Sequence, residues 1–346
     1  MSKKNWRELV ISYESAYKKS IQNIEDVRSG KKRFIKTGFD ILDNIFFKGL
    51  ETNKIMIIGA LSSVGKTTYT LQLRDNILRL NDNVEWLSFN FEMIASDVID
   101  STITSELNIT LRELYSVDEK ISDNKLKSIE DHFKKNKKPI TFIDVPIDYL
   151  LIAAIVYEYW KEECQPTNKT LIYDIDHALI VAGLENETET RKVENLMKAL
   201  NVVKKKIANE GGNFIGIILS QLKRDMEDKS RIADKMQHYP RKSDLTYSQA
   251  LEHYADIILV LHNPSKINLL SYGNKNYPVY FLKNEKLIPI VYLHLLKARR
   301  VSPDKVMILI PDLEHFKFIE MSSKDFSDAL KDLQRNKNGF SVIPLK

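Results

Sequence analysis

The stretch Ile55-Met-Ile-Ile-Gly-Ala-Leu-Ser-Ser-Val-Gly-Lys-Thr-Thr68 decides the fold. Its apolar run, Ile55 to Ile58, predicts a buried strand, and Thr67 to Leu80 predicts a helix. Between them lies a loop of small residues that ends in Gly65-Lys66-Thr67. In such a loop, backbone N–H groups face a phosphate chain at a helix N-terminus, where the helix dipole favours negative charge. The stretch therefore predicts a nucleotide-binding phosphate loop.

The roles within this loop follow from side-chain chemistry. Lys66 would reach the β- and γ-phosphates of ATP, and the Thr67 hydroxyl would bind Mg²⁺. The usual pattern begins with glycine where this chain has Ala60, with Gly59 one place earlier, so the match is to a looser form. The predicted nucleotide-binding residues are Ala60, Ser62, Ser63, Val64, Gly65, Lys66, Thr67 and Thr68.

Composition indicates a reducing, membrane-free setting. A chain of 346 residues with 43% apolar residues suits one large domain or two small ones. No apolar run approaches the ~20 residues of a membrane span, and the N-terminus has no stretch of signal-peptide type. The single cysteine, Cys164, excludes an internal disulfide framework. We expect a cytoplasmic protein that does not bind membranes.

The N-terminal arm carries the excess positive charge. Residues 1–36 hold ten Lys/Arg and four Asp/Glu, whereas the whole chain has a net charge of +5, so the body is not basic. From Asn5 to Arg28, apolar residues fall three or four apart, which predicts an amphipathic helix. Ser29-Gly30 would end this helix, and the basic link Lys31-Lys32-Arg33 follows. The apolar stripe either packs on its own domain or docks on a neighbouring subunit; its members are Trp6, Val10, Tyr13, Tyr17, Ile21, Ile24 and Val27.

Buried strands and helices alternate along the rest of the chain. Such alternation predicts an α/β fold with a mostly parallel sheet, flanked by helices, and ligands at the carboxyl ends of the strands. Residues 222–242 are predicted to be an irregular loop. We divide the chain into a linker at 1–34, one domain at 35–320 and a tail at 321–346. The predicted strands are Ile55–Ile58, Val84–Phe89, Ile140–Ile143, Leu171–Asp176, Phe214–Leu219, Ile257–Leu261, Tyr292–Leu296 and Val306–Ile310.

Polar residues at the strand ends match the needs of ATP hydrolysis, which requires a metal site, a base for water and stabilisation of the γ-phosphate charge. Glu92 follows the second strand and could polarise a water. Asp174 and Asp176 lie on one face of the fourth strand, and either could hold the metal; we prefer Asp176 because it ends the strand. Gln221 follows the fifth strand and could sense the γ-phosphate.

The ordered motifs resemble the ATPase domain of DnaB-type replicative helicases, which is RecA-like. They are also similar to the helicase half of phage primase-helicases. The resemblance covers roughly residues 35–320. Its motifs are Thr37-Gly-Phe…Leu42-Asp, Gly49-Leu50, Ala60-x4-Gly-Lys-Thr, Phe91-Glu-Met, Ile175-Asp-His, Ser220-Gln-Leu, Ser243-Asp-Leu…Ala255-Asp256 and Lys297-Ala-Arg299.

The resemblance implies a ring of six subunits with ATP held between neighbours. Glu92 would then be the catalytic base, Asp176 the metal carboxylate and Gln221 the γ-phosphate sensor. Arg299 would be an arginine finger that enters the neighbour's site, with Lys297 as its companion. From the residues alone, Lys-x-Arg on a strand places both cations on one face, which suits a polyphosphate or a charged edge strand. A primase or a helicase loader is a further candidate partner.

The resemblance also implies contact with single-stranded DNA. Lys223 matches a pore-loop lysine of the phage helicases, Arg224 an arginine of the DnaB type, and Tyr247 could stack on a base. The chain departs from the family at Thr246-Tyr-Ser-Gln249, where pore-lining residues are usual. A second departure is the N-terminal region, where the family carries a primase or primase-contacting domain and this chain has about 35 residues.

We therefore predict a DnaB-like hexameric helicase or translocase on single-stranded DNA, reduced to motor and linker. A phage or mobile-element replisome would suit the short form. Two alternatives stay open at this point. One is a RecA-type ATPase that assembles on DNA or remodels proteins without unwinding. The other is a ring scaffold that no longer hydrolyses ATP.

Overall fold

The computed structural model describes residues 10–30, 34–117, 121–178, 181–182, 187–283 and 285–335. Within this part of the chain, nine strands form one mixed sheet and two more form a hairpin. The strands are β1 (Lys54–Ala60), β2 (Val84–Asn90), β3 (Ile140–Ile143), β4 (Thr170–Asp176), β5 (Phe214–Gln221), β6 (Ile257–His262), β7 (Tyr280–Lys283), β8 (Lys286–Pro289), β9 (Val291–Ala298), β10 (Lys305–Asp312) and β11 (Lys317–Glu320).

The helices cover both faces of the sheet, as expected for strands that are buried on both sides. They are α1 (Tyr13–Arg28), α2 (Asp40–Ile45), α3 (Lys66–Leu80), α4 (Ala95–Leu107), α5 (Leu111–Tyr115), α6 (Asp123–Lys135), α7 (Tyr149–Tyr159), α8 (Glu189–Asn209), α9 (Lys229–Ala233), α10 (Ser248–Tyr254) and α11 (Ser323–Arg335). Within the described part of the chain, no helix combines the length and the apolar character needed to cross a membrane.

The strand order of the large sheet is β11-β10-β9-β6-β1-β5-β4-β2-β3. The six strands from β6 to β3 run parallel, and β9, β10 and β11 are antiparallel to their neighbours. Every residue of β4 is buried, and only Lys54 of β1 is not. Continuous apolar runs of this kind are typical of strands that are covered on both faces. The prediction of a mostly parallel sheet flanked by helices is confirmed.

The register of the central strands places their carboxyl ends side by side. Ala60 at the end of β1 pairs with Gln221 at the end of β5. Asn90 at the end of β2 pairs with Asp176 at the end of β4. Because parallel strands share one direction, the loops after β1, β2, β4 and β5 meet at one edge of the sheet, called the carboxyl edge below.

Residues 222–242 are not the irregular loop that the sequence predicts. They contain α9 and short 3-10 turns at Arg224–Glu227 and Lys235–Gln237. The guanidinium of Arg231 makes two hydrogen bonds to the carboxylate of Asp244, at 2.7 and 2.6 Å, and further bonds to the carbonyls of Gln237 and Tyr239. The segment is ordered because this one side chain satisfies polar groups spread over it, which the sequence pattern does not reveal.

The structure adds elements at the C-terminal side that the sequence analysis missed. The hairpin β7–β8 and strand β11 are too short for a clear apolar pattern. Helix α11 lies in the stretch predicted as a tail, and its Ala329 is buried while Phe326 packs against Tyr277.

Helix α1 projects from the rest of the chain. Ser12 caps it by accepting a hydrogen bond from the backbone N–H of Ser15, and none of its described residues is buried. Tyr13 and Tyr17 stack on each other at 6.4 Å and stay exposed. Trp6 and the link Lys31-Lys32-Arg33 lie outside the described residues. The described stripe is therefore not covered by its own domain.

Candidate nucleotide-binding site

The segment between β1 and α3 has the backbone of a phosphate loop. Ser63 and Gly65 adopt left-handed φ angles of 59° and 98°, and Gly65 directly precedes α3. A Cβ atom at Gly65 would come within 2.8 Å of Cζ of Phe318, so both the φ angle and the space favour glycine here. The turn aims the free N–H groups at the start of α3 toward the carboxyl edge, as anion binding requires.

The remaining residues of the predicted loop differ in exposure. Ser62 and Ser63 are exposed, where their hydroxyls and N–H groups are accessible to a ligand. Val64 and Thr68 are buried and anchor the loop and the first turn of α3. Ala60 is buried between β5 and β6, where it pairs with Gln221 and Leu261. Its methyl group takes the place of the usual glycine hydrogen.

Asp176 meets the phosphate loop at the carboxyl edge. Thr67 Oγ1 donates to Asp176 Oδ2 at 3.2 Å, and Lys66 Nζ lies 3.7 Å from Asp176 Oδ1. Burial raises the pKa of Asp176, the charge of Glu92 raises it further, and Lys66 opposes both. Burial likewise lowers the pKa of Lys66, opposed by Asp176 and Glu92. The charges of Lys66 and Asp176 are thus both poorly solvated, and each stabilises the charged form of the other.

The donor set fits a magnesium ion that also binds phosphate. Asp176 Oδ1 is buried and has no hydrogen-bond partner among the described residues. A carboxylate oxygen that accepts no hydrogen bond, beside a threonine hydroxyl, offers hard oxygen ligands, which Mg²⁺ prefers. Within the described residues, no three His, Cys, Asp or Glu side chains gather as a metal-binding group. A magnesium ion that also binds substrate phosphates usually has one or two protein carboxylates as ligands and keeps several waters.

Asp174, the alternative metal ligand, is engaged elsewhere. Its carboxylate accepts a hydrogen bond from the indole Nε1 of Trp86. Burial raises its pKa to about 6, although the bonds from Trp86 and Ser88 lower it. Asp174 is therefore a satisfied interior group, and the structure favours Asp176.

Glu92 and Gln221 flank the same edge. Glu92 is exposed, two residues beyond β2, and its charge acts on both Lys66 and Asp176. Gln221 is partly exposed at the end of β5, next to Ala60 of β1. The structure thus brings together residues from four neighbouring strands that lie far apart in the sequence.

Lys297 and Arg299 lie at the opposite edge of the sheet. Strand β9 runs antiparallel to β6, and Ala298 pairs with Ile257 at the beginning of β6. The seven residues of β1 separate this amino edge from the phosphate loop, a distance of about 20 Å. Neither cation is therefore placed to act on a nucleotide in its own chain.

Both cations at the amino edge have partners within the chain. Lys297 Nζ donates to the carbonyl of Glu252, and burial lowers its pKa, an effect to which Arg299 adds. Arg299 Nε lies 3.0 Å from Asp256 Oδ1, and 53% of the Arg299 side chain stays exposed.

The predicted DNA-binding residues lie within residues 222–247, which are called the segment after β5 below. Lys223 is partly exposed and donates to the carbonyl of Ser243 at 2.9 Å, and Arg224 is exposed. Tyr247 has a left-handed φ of 56° and is partly buried against the core, so its ring is less free than the sequence suggests. Burial also raises the pKa of Tyr247.

This segment is mechanically joined to the nucleotide site. The backbone N–H of Thr246 donates to the carbonyl of Gln221 at 2.9 Å. Leu245 packs against Gly59 of β1 so closely that a Cβ there would lie 2.6 Å from Leu245 Cδ2. A shift of either strand end would therefore be transmitted to the segment.

The sequence analysis missed the contribution of β11. The side chain of Gln72 in α3 bonds both backbone groups of Phe318, accepting from N–H at 2.6 Å and donating to the carbonyl at 2.9 Å. Glu320 accepts from the N–H groups of Asp40 and Ile41, at the start of α2, each at 2.9 Å. These bonds hold β11 against the phosphate loop. No local motif signals them, because the partners lie in distant parts of the sequence.

Comparison with known proteins agrees with this geometry. The family described as DnaB-like helicase C terminal domain matches residues 34–306. The replicative DNA helicase DnaB of Geobacillus stearothermophilus is 26% identical over 255 residues, which are 72% of this chain and 51% of that protein. The replicative DNA helicase DnaC of Bacillus subtilis is 26% identical over 310 residues, which are 89% of this chain and 61% of that protein. The chain spans about half the length of the first of these relatives.

Solved structures show the same fold. One, described as an ATPase domain, superposes with a TM-score of 0.70 at 19% identity, covering 88% of this chain and 98% of that one. A DnaB-like replicative helicase, solved for its interactions with primase, has a TM-score of 0.69 at 20% identity and covers 90% and 68%. These likenesses confirm the predicted RecA-like, phosphate-loop architecture.

Proposed function

The chain belongs to the family of DnaB-like helicase C-terminal domains, and from this premise we propose that it hydrolyses ATP to move along single-stranded DNA as a helicase. The observation that carries the proposal is the meeting of Lys66, Thr67 and Asp176 at the carboxyl edge. Glu92 and Gln221 border the same place, so each requirement of ATP hydrolysis within one chain has a candidate group there.

The roles at the site follow from their positions. The N–H groups at the start of α3 and the ammonium group of Lys66 would bind the β- and γ-phosphates. Thr67 and Asp176 would hold magnesium, which neutralises phosphate charge when bound. Glu92, exposed beyond β2, would orient and polarise the attacking water. Gln221 would form a hydrogen bond to the γ-phosphate. A shift of Gln221 would then move Thr246, whose N–H donates to the Gln221 carbonyl.

A second copy of the chain is needed to complete the site. Arg299 is half exposed at the amino edge, about 20 Å from its own phosphate loop. We propose that Arg299, with Lys297 beside it, enters the nucleotide site of a neighbouring subunit in a ring of six. The exposed apolar stripe of α1 supports this assembly, because apolar residues along one face of a helix can be buried against a neighbouring subunit.

Single-stranded DNA is the proposed substrate of the segment after β5. Lys223 and Arg224 supply positive charge there, and the bond from Thr246 to the Gln221 carbonyl links the segment to the nucleotide. A primase or helicase loader is a further proposed partner. Because the proposed substrate is replicating DNA, we propose that the protein works in a bacterial or phage-infected cytoplasm.

Displacement of a labelled strand from a forked DNA duplex tests the proposal. We expect unwinding that requires ATP and Mg²⁺ and is lost in Lys66→Ala. Lys127→Ala, which removes an exposed lysine of α6 that is not among the proposed site residues, should unwind normally. The partly buried Tyr247 and the unusual Thr246-Tyr-Ser-Gln249 keep one alternative open. DNA-stimulated ATPase activity without strand displacement would favour a RecA-type ATPase that assembles on DNA.

A further inference from the structure

At the amino edge of the sheet, one buried carboxylate holds two cations. Asp256 directly precedes β6 and is 2% exposed. Arg299 Nε lies 3.0 Å from its Oδ1, and Lys204 Nζ of α8 donates to its Oδ2. The backbone N–H of Ile55 in β1 also donates to Oδ2, at 3.0 Å. None of the roles assigned above uses Asp256 or Lys204.

These contacts determine where Asp256 sits. Burial of a carboxylate is unfavourable unless cations and hydrogen bonds compensate for the lost water. Asp256 receives this compensation from β1, from α8 and from Arg299, the residue that follows β9. Its own N–H donates to the carbonyl of Ile55 at 2.8 Å, which also fixes its backbone. The carboxylate is therefore a rigid point at an otherwise exposed edge.

The two cations on Asp256 differ in a way that matters for function. The Lys204 side chain is only 18% exposed, whereas 53% of the Arg299 side chain is exposed. Burial lowers the pKa of Lys204, and the Asp256 charge opposes this, as expected for a cation kept inside to balance a carboxylate. Arg299 instead meets the carboxylate through Nε, which leaves much of its guanidinium at the surface. A planar guanidinium anchored on one side can still bind phosphate oxygens with another.

We propose that Asp256 is the positioning residue for Arg299. It holds the guanidinium outward, at a fixed height above the sheet, in the orientation from which it reaches a neighbour's nucleotide. Lys204 also pairs with the Asp256 carboxylate. The full negative charge of Asp256 therefore does not act on Arg299 alone, and Arg299 is not drawn inward. This inference rests on the trans role proposed above for Arg299.

The first measurement separates turnover from binding. Asp256→Asn keeps the size of the side chain and removes its charge. We expect kcat for ATP to fall by about tenfold or more, with KM and the affinity for a fluorescent ATP analogue within about twofold. Binding is preserved because the phosphate loop lies at the other edge of the sheet. Arg300→Ala is the matched control: Arg300 is the next residue, pairs with Glu51 and should leave kcat unchanged.

The second measurement asks whether the loss lies in the half of the site that Arg299 supplies. Asp256→Asn subunits mixed with Lys66→Ala subunits should regain activity, because some interfaces then pair an intact phosphate loop with an intact Arg299. A mixture of Asp256→Asn with Arg299→Ala should stay inactive. Adding Asp256→Asn to Arg299→Ala in one chain should cost nothing further, since the two act as a unit. A merely structural role would instead also damage the phosphate loop and add to the loss.

The outcomes separate this inference from the proposed function. If Arg299→Ala recovers with Lys66→Ala but Asp256→Asn does not, or if Asp256→Asn turns over ATP normally, the positioning role is wrong and the shared site stands. If Arg299→Ala keeps full turnover, or fails to recover in mixed rings, both are wrong. Should Asp256→Asn not fold, Asp256→Glu is the second variant, because it keeps the charge but moves the carboxylate. We then expect a smaller loss of kcat and the same recovery when Asp256→Glu subunits are mixed with Lys66→Ala subunits.

Discussion

The hydroxyl of Thr67 donates a hydrogen bond of 3.2 Å to Asp176, although 109 residues separate the two positions. Thr67 is the second residue of α3, and Asp176 ends β4, two strands away from β1 in the sheet. The contact joins the phosphate loop to the proposed metal carboxylate, so a magnesium ion bound by Thr67 and Asp176 would replace this hydrogen bond.

Substitution at Glu92 should separate ATP binding from ATP hydrolysis. Glu92→Gln keeps the shape of the side chain but cannot polarise a water, so turnover should fall by about 100-fold or more while nucleotide affinity stays unchanged. Lys66→Ala should lose nucleotide binding as well as hydrolysis, because it removes the ammonium group that would bind the phosphates. Steady-state ATPase assays and equilibrium binding of a fluorescent analogue measure the two effects. Near-normal turnover in Glu92→Gln would place the base elsewhere.

The two aspartates of β4 should respond differently to magnesium. Asp176→Asn removes the charge beside Thr67, so the Mg²⁺ concentration for half-maximal ATPase activity should rise by about tenfold or more. Asp174→Asn should keep the normal Mg²⁺ dependence, because an asparagine oxygen can still accept the hydrogen bond from Trp86. A titration of ATPase activity with MgCl₂ compares the pair. An equal shift in both variants would contradict the assignment of Asp176.

The stripe on α1 should contribute to assembly. Tyr17 and Ile24 are 55% and 51% exposed, and burial of such a side chain on a partner stabilises by roughly 1.5–3 kcal/mol. Tyr17→Ser with Ile24→Ser should therefore shift the oligomer toward monomers in light-scattering measurements, with ATPase activity falling in parallel. Lys19→Ser with Gln22→Ser, away from the stripe, serves as the control. An oligomer that is equally stable in both variants would mean that α1 does not hold it together.

The segment after β5 should bind DNA in a salt-dependent way. Lys223→Ala with Arg224→Ala should weaken binding of oligo-dT and reduce the slope of log K against log salt by about one to two units. Tyr247→Leu keeps apolar bulk against the core but removes the ring, so a loss of about 1–3 kcal/mol with an unchanged slope would indicate stacking on a base. Fluorescence anisotropy at several salt concentrations measures both. Unchanged affinity in both variants would exclude this segment as the DNA contact.

Buried histidines with lowered pKa values should reduce stability in mild acid, and His262 and His294 are two of the three in the described residues. His262 is fully buried with its pKa far below the usual value, lowered by burial and by the nearby His294, Arg231 and His238. Burial lowers the pKa of His294 to about 3. Both are neutral when folded but take up protons when unfolded near pH 6.5, so stability is full above that pH and is lost as pH falls below it.

We expect each histidine to cost about 1 kcal/mol of unfolding free energy between pH 7.5 and 5.5. Urea unfolding at the two pH values measures this. His294→Gln, which can still accept a hydrogen bond from Tyr272, should reduce the acid sensitivity. His253→Gln is the control, because His253 is exposed and should leave the sensitivity unchanged. Equal sensitivity in both variants would contradict this cause.

Local sequence patterns predicted most of the fold and the phosphate loop. Mostly apolar runs of four to six residues predicted β1 to β6, β9 and β10, and the glycine and lysine spacing predicted the turn into α3. The strand ends also predicted Glu92, Asp176 and Gln221 as one group, since parallel strands share a carboxyl edge. Short elements such as β7, β8 and β11 escaped because their residues are half exposed and carry little periodicity.

The sequence by itself determined the burial of the central strands, the phosphate loop and the residue types at its edge, because these depend on neighbours within a few positions. Only the tertiary structure shows that Asp174 accepts a hydrogen bond from Trp86, 88 residues away, whereas Asp176 lies beside Thr67 and Lys66. Only the structure also placed Arg299 on Asp256 at the amino edge and packed Tyr247 against the core. Those outcomes depend on which side chains meet across the sheet, and the free energy of such contacts comes from burial and pairing that no local pattern contains.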